Sequence, residues 1–415
     1  MAASLSIFLL FSFTFLLTFS LAQKPSSQNI GIVLPVIKDV STLQYATHMH
    51  HGSNPTVPIK LVVDLGGPVL WLDCASGHMP SSHRPINGGS LECSRANIAN
   101  GCDCSVDTVN TITHGATRGE LVEDVVAVDS VDRSGQVTSI TTVDHFLFSC
   151  VPPWLLNGLA SGVKGMLGLG RARISVPSQL ATSFGFQRKF AICLSSSNGN
   201  GVVLLGNEPY VSIFEPDLPN SLMYTPLISN QDGALEDYYV NVKSIKINGK
   251  RLSLSTSTLS IGGTKLSTIV PYTTMESTIY DTFKRAYIKI ATSMNMTRVA
   301  SVAHFDVCFS SDGLEKTWGG PAVPVIDFVL QSEMVKWRIH GRNSMVEVSD
   351  GVLCLGFLDG GVSPKASIVI GGHQLEDILL EFNLGTSMLG FSSSLLMRDT
   401  SCSNFKLYSM PSESL

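Results

Sequence analysis

Short apolar runs that alternate with polar residues recur along this chain, and they predict strands more often than helices. Residues 30–45 and 58–72 carry this period-two pattern. It returns over 119–150, with Asp132-Arg133-Ser134-Gly135 as the hairpin turn. Between them, residues 75–118 are rich in Ser, Gly, Asn and Cys and read as a long loop held by disulfides. A short helix is expected over 175–185, after Ser175-Val176-Pro177. Strands follow over 186–226, ending near Pro219-Asn220-Ser221. Residues 228–236 are polar and turn-rich and mark a lobe boundary at 230/231. Beyond it, Tyr238–Ile247 alternates and Asn248-Gly249 supplies a tight hairpin. The best helical period lies over 275–293, with Ile279, Phe283, Tyr287 and Ile290 on one face. A second short helix is expected over residues 373–379, among further strands.

The two halves repeat one another. Each has an apolar strand that runs into a tight turn: Leu61-Val62-Val63-Asp64-Leu65-Gly66-Gly67 in the first, Leu266-Ser267-Thr268-Ile269-Val270-Pro271-Tyr272-Thr273 in the second. Each later has an apolar run ending in glycine, Gly165-Met166-Leu167-Gly168-Leu169-Gly170 and Ile368-Val369-Ile370-Gly371-Gly372. Such a duplication predicts a mostly β, two-lobed fold with a cleft between lobes 23–230 and 231–415.

Residues 4–21 are almost wholly apolar, and Ser20-Leu21-Ala22 offers the small residues a signal peptidase prefers. Residues 1–22 therefore read as a cleaved secretory signal, with a secreted, extracellular mature protein that no membrane retains. A net charge of −5 without a long Lys/Arg run leaves no nucleic-acid footprint. Nine cysteines in such a chain imply disulfides, and the odd count leaves one thiol free or paired to another molecule. Four of them crowd into 74–104 without the His or paired CxxC spacing of zinc, so no metal is expected. Asn295-Met296-Thr297 is the usable glycosylation sequon, because Pro55 blocks Asn54. No cofactor is expected either. Gly165–Gly170 has spaced glycines but lacks the βαβ pattern and acidic residue of a dinucleotide loop.

Taken in order, Asp64-Leu65-Gly66-Gly67, Trp71-Leu72-Asp73-Cys74, Gly165–Gly170 with Ser175-Val176-Pro177-Ser178-Gln179-Leu180, Ile370-Gly371-Gly372 and Leu389-Gly390-Phe391 resemble the pepsin-like aspartic proteases over nearly the whole mature chain. Ser41-Thr42-Leu43-Gln44-Tyr45, Lys243–Asn248, Pro271-Tyr272-Thr273 and Ile370–Asp377 narrow the likeness. They resemble the plant non-proteolytic subgroup that includes the carrot extracellular dermal glycoprotein, basic 7S globulins and wheat xylanase inhibitors. The resemblance implies a pepsin-like bilobal fold and an apoplastic protein. It also implies a partner among microbial cell-wall glycoside hydrolases, either an endoglucanase or a xylanase, or else a peptide ligand. Disulfides Cys308–Cys354 and Cys193–Cys402 are implied in the same way.

Protease chemistry in that family needs two carboxylates that share a proton. The family's spacing puts Ser267 opposite Asp64, and a serine hydroxyl cannot share a carboxylate proton. Leu65 replaces the hydroxyl of the first turn, and Ile269 replaces the glycine of the second. Asp64 and Ser267 are thus read as relic dyad positions, with Asp64 kept as a structural group. An active endopeptidase would need a second carboxylate. A lone Asp64 as a glycosidase acid lacks its pair. His373, beside Gly371-Gly372, reads as a capping or packing residue rather than a base. If the chain is an inhibitor, a cation on a protruding second-lobe loop would plug the target's paired carboxylates. Lys316 and Arg398 are the candidates, and Trp318 is placed to stack in a sugar subsite. Read one at a time, each is an ordinary surface residue. The dermal glycoprotein group tends to carry arginines at or next to these spots. Here Trp318 stands at one of them and Arg398 is displaced by one residue.

Overall fold

A computed structural model describes residues 31–404 apart from 54–55, 76–81, 97–103, 133–136, 198, 207–217, 230–236 and 261. The expected leader, the expected lobe boundary and the turn expected at 132–135 (apart from Asp132) fall outside the described residues. The fold is mostly β, two-lobed and pepsin-like.

The duplication seen in the sequence is a duplication of strand pairing. Strand Val57–Asp64 runs parallel to Gly165–Gly168, and strand Thr264–Leu266 runs parallel to Ile368–Ile370. In each half a short strand after the turn, Trp71–Asp73 or Thr273–Met275, pairs antiparallel with that same glycine-ended strand. The glycines are sterically required. A Cβ at Gly168 would strike the carbonyl oxygens of Gly67 and Val69, and one at Gly371 would strike the Tyr272 backbone. The chain therefore crosses closely behind both turns.

Several sequence expectations meet the structure directly. The long helix is Ser277–Ser293, burying Ile279, Tyr280, Phe283, Tyr287 and Ala291. Glu276 caps it by accepting from the N–H groups of Thr278 (2.9 Å) and Ile279 (3.2 Å), so this residue stands before the helix rather than on it. Asn248 and Gly249 both have positive φ and join Ser244–Ile247 to Lys250–Arg251, the geometry a two-residue hairpin requires. The helix at 175–185 is Val176–Phe184, closed by Gly185 in the left-handed region.

Other expectations need correction. The segment 75–118 is not only loop: helix Leu91–Arg95 and strand Ser105–Val109 lie in it, and the strand pairs with Ala116–Val131. Its Cys/Ser/Asn composition masked a hairpin. The helix expected over 373–379 stops at Leu375, because Leu379–Asn383 is a buried strand. That strand pairs with Lys189–Cys193, so the last strands of the chain complete a sheet of the first half. Cys193–Cys402 fastens the same junction, Cys308–Cys354 bridges two paired strands of the second half, and Cys74–Cys150 and Cys93–Cys104 close the first. The ninth cysteine, Cys102, lies outside the described residues.

The halves meet at a buried carboxylate. Glu376 Oε1 accepts from Lys38 Nζ (2.6 Å) and from the Tyr45 hydroxyl (2.8 Å), and Lys38 and Tyr45 face each other across two first-half strands. Glu376 Oε2 lies 3.3 Å from His373 Nδ1, while His373 Nε2 lies 3.1 Å from the Met345 carbonyl oxygen. Each ring nitrogen faces an acceptor, so only the protonated ring donates to both. Burial alone would raise the Glu376 pKa, but His373 and Lys38 together hold it below its ordinary value. A carboxylate whose pKa is lowered by folding stabilises the fold above its unfolded pKa, and that stability is lost as pH falls through the folded value. Glu376→Gln should lower stability by about 3 kcal/mol at neutral pH, because it leaves Lys38 partly buried without its counter-charge. Chemical denaturation at pH 7 and pH 3.5 checks this: the deficit should shrink at the lower pH.

Candidate functional site

The two turns named by the sequence are packed together through one hydroxyl. Thr268 Oγ1 donates to the Val63 carbonyl (2.6 Å) and accepts from the Leu65 N–H (3.0 Å). No reciprocal bond can come from Leu65, whose side chain is apolar and buried in the core. Ile269 is half-buried against the cluster of Val62, Trp71, Leu155 and Met166. Packing of that isoleucine thus occupies space on the first-lobe side of the second turn.

Asp64 ends its strand only 5% exposed. Its Oδ1 accepts from the Gly66 N–H (3.1 Å) and its Oδ2 from the Thr111 hydroxyl (2.9 Å). Burial raises its pKa, against the opposing pull of Thr111, Lys265 and the Gly66 N–H. Ser267 is also buried, and its Oγ accepts from the N–H groups of Ile269 (3.1 Å) and Val270 (3.2 Å). The hydroxyl is spent on capping its own turn.

A carboxylate that the sequence did not point to does stand beside the first turn. A side chain at Gly66 would run into the Asp237 carboxylate, and Asp237 Oδ2 is ion-paired with Lys265 Nζ at 2.7 Å. Tyr239 and Lys265 pair across adjacent strands, which brings Asp237 to this place. Thr111, Thr268, Asp237 and Lys265 were all missed in the sequence. Thr268 alone was findable there, as the hydroxyl left in an otherwise altered turn.

The inhibitory candidates lie elsewhere, on adjacent second-half loops. Lys316–Thr317 and Gly320–Pro321 form a two-stranded hairpin with Trp318 at its tip, 69% exposed. Leu395–Arg398 is a single 3-10 turn, with Met397 and Arg398 exposed. A Cβ at Gly319 would touch both Met397 Sδ and the His340 side chain, so the hairpin tip rests on that turn. Arg342 supports the hairpin from below: its N–H donates to the Gly319 carbonyl (2.6 Å), and its guanidinium donates to the Ser196 carbonyl (3.0 Å) in the first half. Lys316, Trp318 and Arg398 thus lie exposed on two loops in contact, and none is near Asp64 in the contacts the structure shows. Asn295 is exposed just past the long helix, in the left-handed region. His373 belongs to the Glu376 junction. Among the described residues no group of three or more His, Cys, Asp or Glu side chains could hold a metal ion, and no helix is long and apolar enough to cross a membrane.

The buried Asp64 gives a pH-dependent expectation. A carboxyl whose pKa is raised by folding stabilises the fold below its unfolded pKa, and the contribution is lost as pH rises through the folded value. Asp64→Asn removes that ionisation. In thermal melts from pH 4 to pH 7, the variant should gain on the parent as pH rises from the unfolded pKa through the folded one and then level off; a gap that is constant with pH would sink this assignment.

Residues 45–207 match the family model described as xylanase inhibitor N-terminal, and residues 237–393 match xylanase inhibitor C-terminal. The chain is 46% identical to "Probable aspartic proteinase GIP2" of Nicotiana benthamiana, over 97% of this chain and 98% of that one. It is 34% identical to "Basic 7S globulin 2" of Glycine max, over 94% of each. Among solved structures, edgp superposes with a TM-score of 0.87 at 47% identity, covering 92% of this chain and 100% of that one. An aspartic proteinase from Irpex lacteus superposes with a TM-score of 0.61 at 16% identity, covering 89% and 99%, which speaks to the fold alone. With both halves matched in order, the chain belongs to the xylanase inhibitor family of pepsin-like proteins, alongside the basic 7S globulins.

Proposed function

We propose that this protein is a secreted, catalytically inactive pepsin-like protein that binds and inhibits microbial cell-wall glycoside hydrolases, either a xyloglucan endoglucanase or a xylanase. The inactivity is argued from Ser267, which the family's spacing puts at the second acidic position and whose hydroxyl accepts from its own turn. A proton-sharing carboxylate pair needs an acid there. Asp237 does not replace it, because Lys265 neutralises that carboxylate.

The observation that carries the inhibitory reading is the contact between the Gly319 hairpin and the Leu395–Arg398 turn. The two adjacent loops carry an exposed Trp318, Met397, Lys316 and Arg398. Aromatic and cationic side chains of this kind dominate interface energetics. A retaining glycoside hydrolase presents two carboxylates in an open cleft, the complement of such a face. The chain's lobes, 23–230 and 231–415, would hold the face rigid from below through Arg342. Release of the 1–22 leader and occupancy of Asn295 by glycan are part of the same reading.

A second reading, a peptide-binding or storage globulin, is supported by relatives named basic 7S globulin and gamma conglutin. Titration of the purified protein against a fungal xyloglucan-specific endoglucanase and a xylanase separates the two. The expected result is stoichiometric loss of activity for at least one enzyme. Trp318→Ala should then weaken inhibition about 30-fold, and Arg398→Ala and Lys316→Ala about ten-fold each. Full activity of both enzymes at micromolar excess would reject the inhibitor reading in favour of the globulin one.

A further inference from the structure

Away from both turns, two imidazoles and a carboxylate are gathered inside the first half. His51 Nδ1 lies 3.9 Å from Asp124 Oδ2, and both side chains are buried. The His83 ring is close enough to His51 to oppose its protonation. His51 Nδ1, His83 Nδ1 and Asp124 Oδ2 are all buried atoms to which no other protein group is hydrogen-bonded. Asp124 Oδ1 is taken up by the Val125 N–H (2.7 Å), so a single carboxylate oxygen is left for the imidazoles.

Three segments meet there. His51 ends strand Tyr45–His51, Asp124 lies on Ala116–Val131 where that strand is bulged between Asp124 and Val126, and His83 precedes the two-residue strand Arg84–Pro85. Few bonds hold the last segment: Arg84–Pro85 pairs with Val122 and Glu123, the Ile86 N–H donates to the Leu121 carbonyl (3.0 Å), and the Ser82 hydroxyl accepts from the Ser53 N–H (3.1 Å). The His83 ring adds an edge-on contact with Phe148.

Other charges nearby face elsewhere. His48 and His50 lie on the opposite side of their strand from His51, and Lys60 stands across from His48. Glu123 pairs with His145 and lies across from Arg84, while apolar Phe146 stands across from Asp124. Asp124 and His83 are thus the titratable groups that face His51. Burial disfavours its imidazolium and outweighs the pull of Asp124, and His83 adds to burial, so its pKa lies below the ordinary histidine value. A group lowered in this way stabilises the fold above its unfolded pKa, and that stability is lost as pH falls through the folded value.

We propose that His51, Asp124 and His83 form an acid-released clasp on residues 82–86. Near neutral pH, uncharged imidazoles pack beside Asp124 and hold the segment against the bulge. In acid, two imidazolium rings face one carboxylate oxygen and the segment lets go. Release stays local, because Cys74–Cys150 and Cys93–Cys104 fasten the chain on either side.

Hydrogen exchange of the full secreted chain at pH 7 and pH 4.5, corrected for intrinsic rates, tests it. Segment 82–86 should exchange at least about ten-fold faster in acid, while strands Gly201–Gly206 and Leu379–Asn383 change less than about three-fold. His51→Gln, which cannot charge, should cut the acid acceleration of 82–86 to less than about three-fold. No acceleration in the wild type, or the same acceleration in His51→Gln, overturns the clasp. Imidazole NMR supplies a second readout: His51 should titrate below the ordinary histidine value, and Asp124→Asn should lower it further. Titration of His51 at or above the ordinary value overturns the proposal. Should His51→Gln fail to fold, His83→Gln should raise the His51 titration and slow the acid release at least about three-fold; no change in either overturns it. Hydrolase inhibition at pH 7 by His83→Gln should match wild type, so failure of the clasp and failure of the inhibitor reading give different results.

Discussion

A charge taken out of water must be answered by partners, and Glu376 is the charge on which the joining of the two halves depends. Its partners come from both halves: Lys38 and Tyr45 from one, His373 from the other. Lys38 and Tyr45 can reach it only when the halves are docked in one orientation, while His373, three residues before it, holds it from its own half. Apolar contact between lobes is tolerant of sliding, whereas a buried carboxylate with three specified donors is not. Around it the backbone is equally committed: Asn343 donates to the carbonyls of His373 and Glu376, and Asp377 N–H donates to the Leu194 carbonyl. The alignment of the two turns at the centre follows from this docking.

At those turns the side chains are engaged in structural contacts. Thr268 keeps the cross-turn bond, and so the turns stay packed. Leu65 and Ile269 exchange polarity and space for apolar packing, and Ser267 satisfies its own backbone. Asp64 remains because a buried carboxyl with two donors is a serviceable cap, and its removal alone would leave the Thr111 hydroxyl and the Gly66 N–H without an acceptor.

The sequence carried the duplicated architecture clearly, since each apolar run and its closing glycine answer to one steric requirement behind each turn. The helix from Ser277 and the Asn248-Gly249 hairpin were equally legible, each being set by local periodicity or local φ. The strand at 105–109 was not, because its pairing partner rather than its own polar composition makes it a strand. The stretch after Leu375 misled for the opposite reason: an apolar run looks alike as a buried strand and as a short helix. In the site, Asp64 and Ser267 could be located by motif. Thr111, Asp237 and Lys265 reach the turn through strand pairings that no spacing announces. The proximity of the Lys316 hairpin to the Arg398 turn is likewise a product of packing between distant segments.

The strand Leu379–Asn383 lies between Lys189–Cys193 and Met388–Phe391, so residues near the end of the chain complete a sheet begun in the first half. During synthesis the ribosome delivers that first half long before its missing neighbours exist. An unpaired edge of buried, apolar strand is then exposed for the whole time the second half is being made. The sheet of the first half is therefore completed only by strands that are made after the rest of the second half, and Lys189–Cys193 lacks that neighbour until then.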